Sequence, residues 1–420
     1  MTDGDPGHAP TSHDRFLSPM GRQLHESAIR RMGTVVARTA DLVSFAAGYP
    51  DPTTFPWDDL RAITNELLSG SDGTTLQYGP TRGYKPLLET IVDVLKSRDI
   101  TAPLEELIVT SGSQQGLDLV ARVLITPGDV VLVELPAYTG AISAFKNMQA
   151  ELVGVKQDPD GINLEDLDAV CVRERKAGKR VNLLYLVPNF QNPSGLLLGL
   201  EKRKRLLEWA ERRDVLIIED DPYGALYFDD VASEPETRPV RADDRHGRVI
   251  YLSTFSKTLA PGFRVGWMAA PASLIERFDT AKQAVDLTSG ILDQRIVHQA
   301  IRRGVIDRLA PQLRDLYQRK RAVMETALRA ELGDRLTWQT PTGGFFLWAQ
   351  LAAGYDDVTL LERALEQRLV FVIGSAFYVD GAGHDRIRLS FSAPTAERIQ
   401  EGVRRLGVVM KSNPKEAVSK

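Results

Sequence analysis

Lys257 stands in the segment STFSKTLAPGFR, directly after a predicted buried strand, Val249–Ser253. An amine at the carboxyl end of a sheet strand lies where open α/β folds bind their ligands. The hydroxyls of Thr254 and Ser256, together with the guanidinium of Arg264, can hold a phosphate dianion. A lysine alone in a loop is usually a solvated surface residue. These neighbours instead favour an aldehyde cofactor that carries a phosphate.

A second phosphate-binding feature is predicted at Ser113 and Gln114, in the sequence GSQQGL. These residues follow the predicted strand Leu107–Thr110 and begin an amphipathic helix that continues to Leu124. Backbone N–H groups and the positive end of the helix dipole attract anions at such a position. A plain helix cap without a ligand would use the same residue types. The pattern therefore predicts a phosphate site only in combination with the Lys257 segment.

Four further polar residues follow predicted strands or lie within one. Asn192 belongs to an NPSG sequence, which is usually only a turn. Asp220 follows the predicted strand Val215–Glu219, where an aspartate is commonly a helix cap. Arg386 and Arg388 alternate with apolar residues in RIRLSF, so both lie on one face of a strand and one of them can point inward.

The elements that would position these residues alternate between short apolar runs and amphipathic stretches from about residue 104 to 270. This rhythm predicts a mostly parallel sheet with helices on both faces. Further strands are predicted at Val130–Glu134, Leu183–Val187 and Val265–Ala269, and a crossover helix is predicted at Gly199–Arg213. The charged, proline-containing segment 229–247 has no apolar periodicity and is predicted to be a surface loop.

After Pro271 the pattern changes to long helices, including Asp307–Leu332, and then to short strands at Phe345–Ala349, Val370–Ile373 and Ile387–Phe391. This change predicts a separate, smaller α+β lobe. The predicted division of the chain is a disordered tail at 1–16, an N-terminal arm with part of the small domain at 17–70, a large cofactor-binding domain at 71–303 and a C-terminal small domain at 304–420.

The composition excludes several classes of protein. Of the 420 residues 43% are hydrophobic and 26% are charged, which is an ordinary globular balance. A net charge of −4 with both signs interspersed gives no reason to expect nucleic acid or a membrane as partner. The basic run RERKAGKR lacks interleaved aromatic residues, so we interpret it as a solvated helix end. With one cysteine, Cys171, and no ligand spacing among the histidines, we predict no metal site and a reducing, cytoplasmic location. The polar start of the chain lacks the pattern of a signal peptide.

The segment from Thr254 to Gly266 resembles the lysine motif of fold-type I pyridoxal-phosphate aminotransferases, S-x-S-K-x-x-x-x-G-x-R-x-G. The other motifs follow in the order of that family, from about residue 45 to 395, and the subgroup of aminoadipate and kynurenine aminotransferases is the most similar. The resemblance implies fold type I of the PLP-dependent transferases: an α/β large domain with a mostly parallel seven-stranded sheet, and a smaller α+β domain. It also implies pyridoxal 5'-phosphate as the cofactor.

The resemblance further implies a role for each motif. It makes Lys257 the catalytic lysine that holds the cofactor, and it assigns cofactor contacts to Ser113, Gln114, Tyr138, Asn192, Asp220, Tyr223, Thr254, Ser256 and Arg264. Asp220 would keep the pyridine nitrogen protonated, so that the ring can accept electrons. Arg388 would bind the substrate α-carboxylate, with Gly48 and Asn192 nearby. Tyr78 would reach the phosphate in the neighbouring subunit, which implies a homodimer with shared active sites.

The implied reaction is a ping-pong transfer of the amino group of an L-amino acid, of the aminoadipate, aromatic or other bulky type, to a 2-oxo acid such as 2-oxoglutarate. The chain departs from the subgroup at Ala47, Phe190 and Thr254, which leaves the side-chain preference open. A lyase, decarboxylase or oxidase could keep the same residues, because substrate orientation over the cofactor decides which bond breaks. A transcription regulator is a more remote alternative, since the motifs begin near Phe45 and leave little chain for a DNA-binding domain.

Overall fold

The computed structural model describes residues 13–24 and 40–411. Most of the predicted tail, residues 1–12, lies outside these ranges, as do residues 25–39 of the predicted arm and the last nine residues of the chain. Asp14–Phe16, which the tail prediction included, form a short 3-10 helix. The division into domains remains a prediction.

Within the described ranges the strands are short and most of them are buried. In chain order they are β1 Val43–Ser44, β2 Leu107–Thr110, β3 Val130–Leu135, β4 Glu151–Asp158, β5 Gly161–Ile162, β6 Val181–Leu186, β7 Leu216–Asp220, β8 Val249–Thr254, β9 Gly266–Ala269, β10 Leu336–Trp338, β11 Phe346–Leu351, β12 Leu369–Val370, β13 Val372–Ile373 and β14 Arg386–Ser390. The α-helices are Pro19–Gln23, Trp57–Ser69, Lys85–Lys96, Ser113–Leu124, Thr139–Asn147, Leu164–Lys176, Leu200–Arg213, Ala272–Gln283, Ile291–Arg302, Val305–Leu332, Asp357–Glu366 and Ala396–Lys411.

The large sheet has the strand order β2-β9-β8-β7-β6-β3-β4-β5. Strands β4, β3, β6, β7 and β8 pair in parallel, whereas β9 runs antiparallel to both β8 and β2. The predicted mostly parallel α/β sheet is thus confirmed. Its strand count differs from the seven predicted, because the two residues Gly161–Ile162 fold back as β5 and pair antiparallel with the end of β4.

The carboxyl ends of the parallel strands meet at one edge of this sheet. Tyr138 follows β3, Asn192 follows β6, Asp220 ends β7 and Lys257 follows β8. Strand β2 also points to this edge, since two antiparallel steps through β9 make it parallel to β8, and it leads into the helix that begins at Ser113. The direction of the strands alone therefore brings together residues that are more than 100 positions apart in the sequence.

The smaller sheet is antiparallel, with the order β10-β11-β14-β13. Arg388 lies in β14 between Trp348 on β11 and Val372 on β13. The single strand predicted at Val370–Ile373 is wrong: β12 pairs with β1, and β13 pairs with β14. The chain changes sheets at Phe371, whose side chain is fully buried.

The segment 229–247 is only partly a surface loop. Thr237 and Val240 are fully buried, contrary to the prediction, because the backbone at Val240 and Arg241 donates to the buried carboxylate of Glu219. None of the helices in the described ranges combines the length and the apolar composition that a bilayer crossing requires.

Candidate active site

The amine of Lys257 points into the interior between the two sheets. Its Nζ donates a hydrogen bond to the backbone oxygen of Gly48, at 2.9 Å. It lies 6.0 Å from the centre of the Tyr223 ring and 5.8 Å from that of Phe345. Among the residues that the structure describes, the amine thus has one hydrogen-bond partner, the Gly48 oxygen, and two aromatic rings nearby.

The environment of Lys257 favours a neutral amine. Burial lowers the pKa of Lys257 to about 8, the nearby cations Arg264 and Arg388 lower it further, and Asp220 opposes them. With this pKa roughly a tenth of the amine is unprotonated at pH 7, far more than for an ordinary lysine. That is the form in which a lysine acts as a nucleophile or as a base.

Asp220 is buried at the end of β7 with one carboxylate oxygen unsatisfied. Its Oδ2 accepts a hydrogen bond from the hydroxyl of Tyr185, at 3.0 Å. Its Oδ1 has no hydrogen-bond partner among the residues that the structure describes. Burial raises the pKa of Asp220 to about 7, although the Tyr185 bond lowers it. A protonated ring nitrogen at Oδ1 would both satisfy this oxygen and favour its charged form.

Tyr185 was not among the predicted site residues. It lies on β6 in the sequence VNLLYL, whose other buried members are apolar, and its ring is buried. The one available signal was a polar hydroxyl in a buried strand next to the strand of Asp220, since a buried tyrosine hydroxyl usually finds a partner.

The predicted phosphate-binding residues come together at the start of the helix Ser113–Leu124. Gly112 has a φ of 75° there, and a Cβ on it would lie 2.4 Å from the guanidinium of Arg264. That guanidinium donates to the backbone oxygen of Ser111 at 3.2 Å and approaches the Ser256 hydroxyl at 3.5 Å. A glycine, a helix N-terminus, a hydroxyl and a fixed cation thus form one cradle suited to a phosphate group.

The remaining residues predicted around the cofactor surround this cradle. The Thr254 hydroxyl bonds the Ser256 hydroxyl at 2.8 Å and donates to the backbone oxygen of Val265. Gln114 donates to the backbone oxygen of Gly140 at 2.9 Å, and the Tyr138 hydroxyl donates to Gln114 at 3.4 Å. Tyr138 is thereby tied to the helix that carries the cradle.

Arg388 is a buried cation, only 1% exposed, beside the Phe346 ring at 4.2 Å. Its two terminal nitrogens donate to Asn192 Oδ1 at 2.7 Å and to the backbone oxygen of Ala46 at 2.6 Å. Its Nε has no hydrogen-bond partner in the described part of the chain. Burial lowers the pKa of Arg388 to about 10, and no carboxylate is bonded to it. Such a group would gain from binding an anion.

One predicted residue stands apart from this arrangement. Tyr78 is 78% exposed, whereas Asp220 and Arg388 are buried and Lys257 is half-buried. This position is what a side chain that acts in a partner subunit would have, and its role remains a prediction. Pyridoxal phosphate fits the other residues: an amine for its aldehyde, a cradle for its phosphate and an unsatisfied carboxylate oxygen for its ring nitrogen.

Comparisons with known proteins agree with this chemistry. The family model "Aminotransferase class I and II" matches residues 40–406. Aromatic-amino-acid aminotransferase 1 of Thermococcus litoralis is 39% identical over 409 residues, which cover 97% of each chain. The structure of Pyrococcus horikoshii kynurenine aminotransferase, in complex with PMP, is 36% identical with a TM-score of 0.90, covering 97% of this chain and 99% of that one. The α-aminoadipate aminotransferase of Thermus thermophilus, complexed with N-(5'-phosphopyridoxyl)-L-leucine, is 35% identical with a TM-score of 0.86, covering 95% and 98%. The chain therefore belongs to the class I and II aminotransferases, fold-type I enzymes that use pyridoxal phosphate.

Proposed function

We propose that this aminotransferase moves the amino group of a bulky L-amino acid, such as aminoadipate or an aromatic amino acid, to 2-oxoglutarate or a similar 2-oxo acid by a ping-pong mechanism. The printed names of three relatives support the donor class, since they refer to aromatic amino acids, kynurenine and α-aminoadipate. None of these three names describes a lyase, a decarboxylase or an oxidase.

The observation that carries the proposal is the relation of Arg388 to Lys257. Arg388 is a desolvated guanidinium with an unbonded Nε, close enough to Lys257 to lower the pKa of its amine. An α-carboxylate that replaces the Asn192 or Ala46 oxygen on Arg388 satisfies the cation. The substrate Cα is then held on the side of the site where the Lys257 amine lies.

Each remaining role follows from the chemistry of the side chain. Bound pyridoxal phosphate supplies the electron sink that lets the Cα–H bond break. Lys257 takes the proton from Cα as a base and later returns it as an acid. When the cofactor is bound, Asp220 would accept a hydrogen bond from its ring nitrogen, Arg264 and the Ser113 backbone would hold its phosphate, and Tyr223 would offer its hydroxyl to the ring oxygen.

A homodimer is the second part of the proposal. Leu76, Tyr78 and Leu287 are large apolar or aromatic side chains that are 75%, 78% and 47% exposed. Their two segments are in contact, because the Thr288 hydroxyl donates to the backbone oxygen of Pro80. A second copy that covers this surface would remove apolar area from water and bring its own Tyr78 towards the cradle. We also propose a cytoplasmic location, supported by a single cysteine that is buried and unpaired.

The test is a donor screen with the purified enzyme and 2-oxoglutarate, in which glutamate formation is measured for aminoadipate and for each of the standard amino acids other than glutamate. We expect glutamate from aminoadipate or aromatic donors. Lys257→Ala should abolish it, while Lys96→Ala, at an exposed helix end, should not. Glutamate from none of the donors would refute the proposed reaction. A Lys257→Ala protein that still formed a borohydride-reducible bond to the cofactor would refute the choice of lysine.

A further inference from the structure

The Gly48 carbonyl that accepts the Lys257 hydrogen bond belongs to an irregular segment, residues 45–51, that we call the strap. The amino end of the strap is bonded to the small sheet, where Ser390 N donates to the Phe45 oxygen at 2.8 Å. Gly48 itself packs so closely that a Cβ on it would lie 2.9 Å from the Phe346 ring. The position of the Gly48 carbonyl therefore depends on how the other end of the strap is held.

That other end is held by a buried ion pair and two hydroxyls. Lys320 Nζ donates to Asp51 Oδ2 at 2.6 Å and to the Ser392 backbone oxygen at 2.8 Å. The Lys320 and Asp51 side chains are 6% and 8% exposed. The Ser392 hydroxyl donates to the Tyr49 oxygen at 2.8 Å, and Asp51 N donates to the Tyr317 hydroxyl at 3.1 Å.

The carboxyl group of Asp51 is ionised at neutral pH. Burial raises the pKa of Asp51, but hydrogen bonds from Lys320 and Thr53 outweigh it and leave this pKa below the usual range. Taking two charges out of water is costly, and well-packed apolar residues often stabilise a fold equally well. Here the pair also joins the middle of the helix Val305–Leu332 and the residues after β14 to one short segment. The ion pair can therefore fix the position of the strap beside Lys257, whatever it contributes to stability.

We propose that Asp51, Lys320 and Ser392 are positioning residues that hold the Gly48 carbonyl where it accepts the hydrogen bond of the Lys257 amine. This inference rests on the proposed role of Lys257. A carbonyl acceptor stabilises the protonated amine more than the neutral one. Loosening the strap should therefore lower the pKa of Lys257 further and leave the amine poorly oriented for proton transfer.

The other charged groups that face Lys257 do not belong to the strap. Arg264 and Arg388 lower the pKa of its amine, and Asp220 raises it. Arg388 also bonds the Ala46 oxygen, in the amino half of the strap. Substitutions at Lys320 and Ser392 change neither this bond nor the three charges, so a shift in the Lys257 titration would report on the Gly48 carbonyl.

The experiment uses the full chain loaded with pyridoxamine 5'-phosphate, in which the Lys257 amine is not bonded to the cofactor. Acetylation of Lys257 by acetic anhydride is measured by mass spectrometry across a pH series. The Asp51→Asn, Lys320→Met double variant removes both charges and so avoids leaving one buried charge unpaired. Its labelling midpoint should fall by about 0.5 to 1 pH unit, and its kcat by about 10-fold with KM changed much less.

The matched control is Lys202→Met. Lys202 is 9% exposed and donates to Asp158 at 2.9 Å in the large domain, away from the strap. Its removal should leave the Lys257 midpoint where it is in the unsubstituted protein. If the double variant does not fold, Ser392→Ala carries the test, because it deletes only the hydroxyl that bonds Tyr49.

The outcomes separate the possibilities. A lower midpoint in the double variant or in Ser392→Ala, with an unchanged control, supports the positioning role. A folded variant with an unchanged midpoint overturns it, and so does an equal shift in Lys202→Met. A failure of the proposed function would appear elsewhere, in a Lys257→Ala protein that keeps its covalent cofactor.

Discussion

Strand β7 carries two buried polar regions on its opposite faces. Asp220 faces the candidate site, whereas Glu219 faces a group that we call the opposite-face cluster, formed with Arg203, Asp221 and Asn189. The pKa shifts of the buried groups do not distinguish the two regions. Burial raises the pKa of Glu219 and of Asp220 to about 7, and it lowers the pKa of Arg203 to about 10, as it does for Arg388 in the site.

Hydrogen bonding does distinguish them. Both oxygens of Glu219 accept backbone N–H bonds at 2.8 Å, and every nitrogen of the Arg203 guanidinium donates to an oxygen. In the site, one Asp220 oxygen and the Arg388 Nε lack partners among the described residues. A shifted pKa marks burial in both regions, so it does not identify the site. The opposite-face cluster is satisfied by bonds within the fold, whereas Asp220 and Arg388 keep hydrogen-bonding capacity that a ligand can use.

The largest expected contrast is between Asp220→Asn and Glu219→Gln. Asparagine cannot hold a protonated ring nitrogen by charge, so kcat should fall by about 10³-fold while the melting temperature stays close to that of the unsubstituted enzyme. Glu219→Gln should instead cost about 1 to 3 kcal/mol of stability, because one backbone N–H loses its acceptor, and kcat should remain. Thermal melts and single-donor kinetics measure both. Equal losses of kcat would erase the distinction between the two faces.

A second contrast compares Arg388→Lys with Arg203→Lys. Lysine keeps the charge and loses the planar fork, so Arg388→Lys should reduce kcat/KM by about 10²-fold through weaker carboxylate binding. Arg203→Lys leaves several backbone oxygens without a donor and should lower the free energy of unfolding by about 2 kcal/mol. The folded fraction of the Arg203 variant should retain its kcat/KM. A comparable loss there would show that the opposite-face cluster also controls substrate binding.

The pH dependence of the free energy of unfolding tests the same two carboxyl groups, Glu219 and Asp220. An acid whose folded pKa is raised gives stability that is complete below its unfolded pKa and is lost as pH rises through the folded value. For Glu219, whose pKa is about 7 in the folded protein and 4.5 for a free side chain, this loss is about 2 kcal/mol between roughly pH 5 and pH 6.5. In the cofactor-free protein, ionisation of Asp220 should lower the free energy of unfolding over a similar pH range.

Cofactor binding should affect only one of these two acids. A ring nitrogen bonded to Asp220 lowers its pKa, so the holoenzyme should lose less stability with rising pH than the cofactor-free protein. Glu219→Gln should flatten both curves by the same amount. Urea unfolding at several pH values measures these slopes, and parallel curves with and without cofactor would contradict a bond at Asp220.

The sequence predicted those features of the fold and of the site that depend on strand direction. The run LIVT predicted β2 at its observed bounds, and Asp220, Asn192 and Lys257 each follow a strand whose carboxyl end lies at the same sheet edge. Contacts between distant segments could not be predicted in this way. Asp51 and Lys320 are 269 positions apart, and no local pattern pairs them. Strand β4 was also missed, because it is largely half-buried and lacks a continuous apolar run.

Tyr185 gives the smallest and most specific contrast, because the opposite face provides a matched partner. The Tyr185 hydroxyl donates to Asp220 at 3.0 Å, and the Tyr251 hydroxyl donates to Asp221 at 3.1 Å. Tyr185→Phe leaves Asp220 with a single strong partner, the cofactor nitrogen, and raises its pKa. We expect kcat to fall by about 10-fold and the acidic limb of the pH profile of kcat to move to higher pH.

Tyr251→Phe removes the same kind of bond from a carboxylate that keeps other donors, Asn189 and Gly224. It should cost about 1 kcal/mol of stability and leave the pH profile in place. The decisive measurement is thus the acidic limb of kcat in the two variants. If it moved in Tyr251→Phe and not in Tyr185→Phe, the carboxylate that governs the cofactor would be Asp221, and the assignment of the two faces of β7 would have to be reversed.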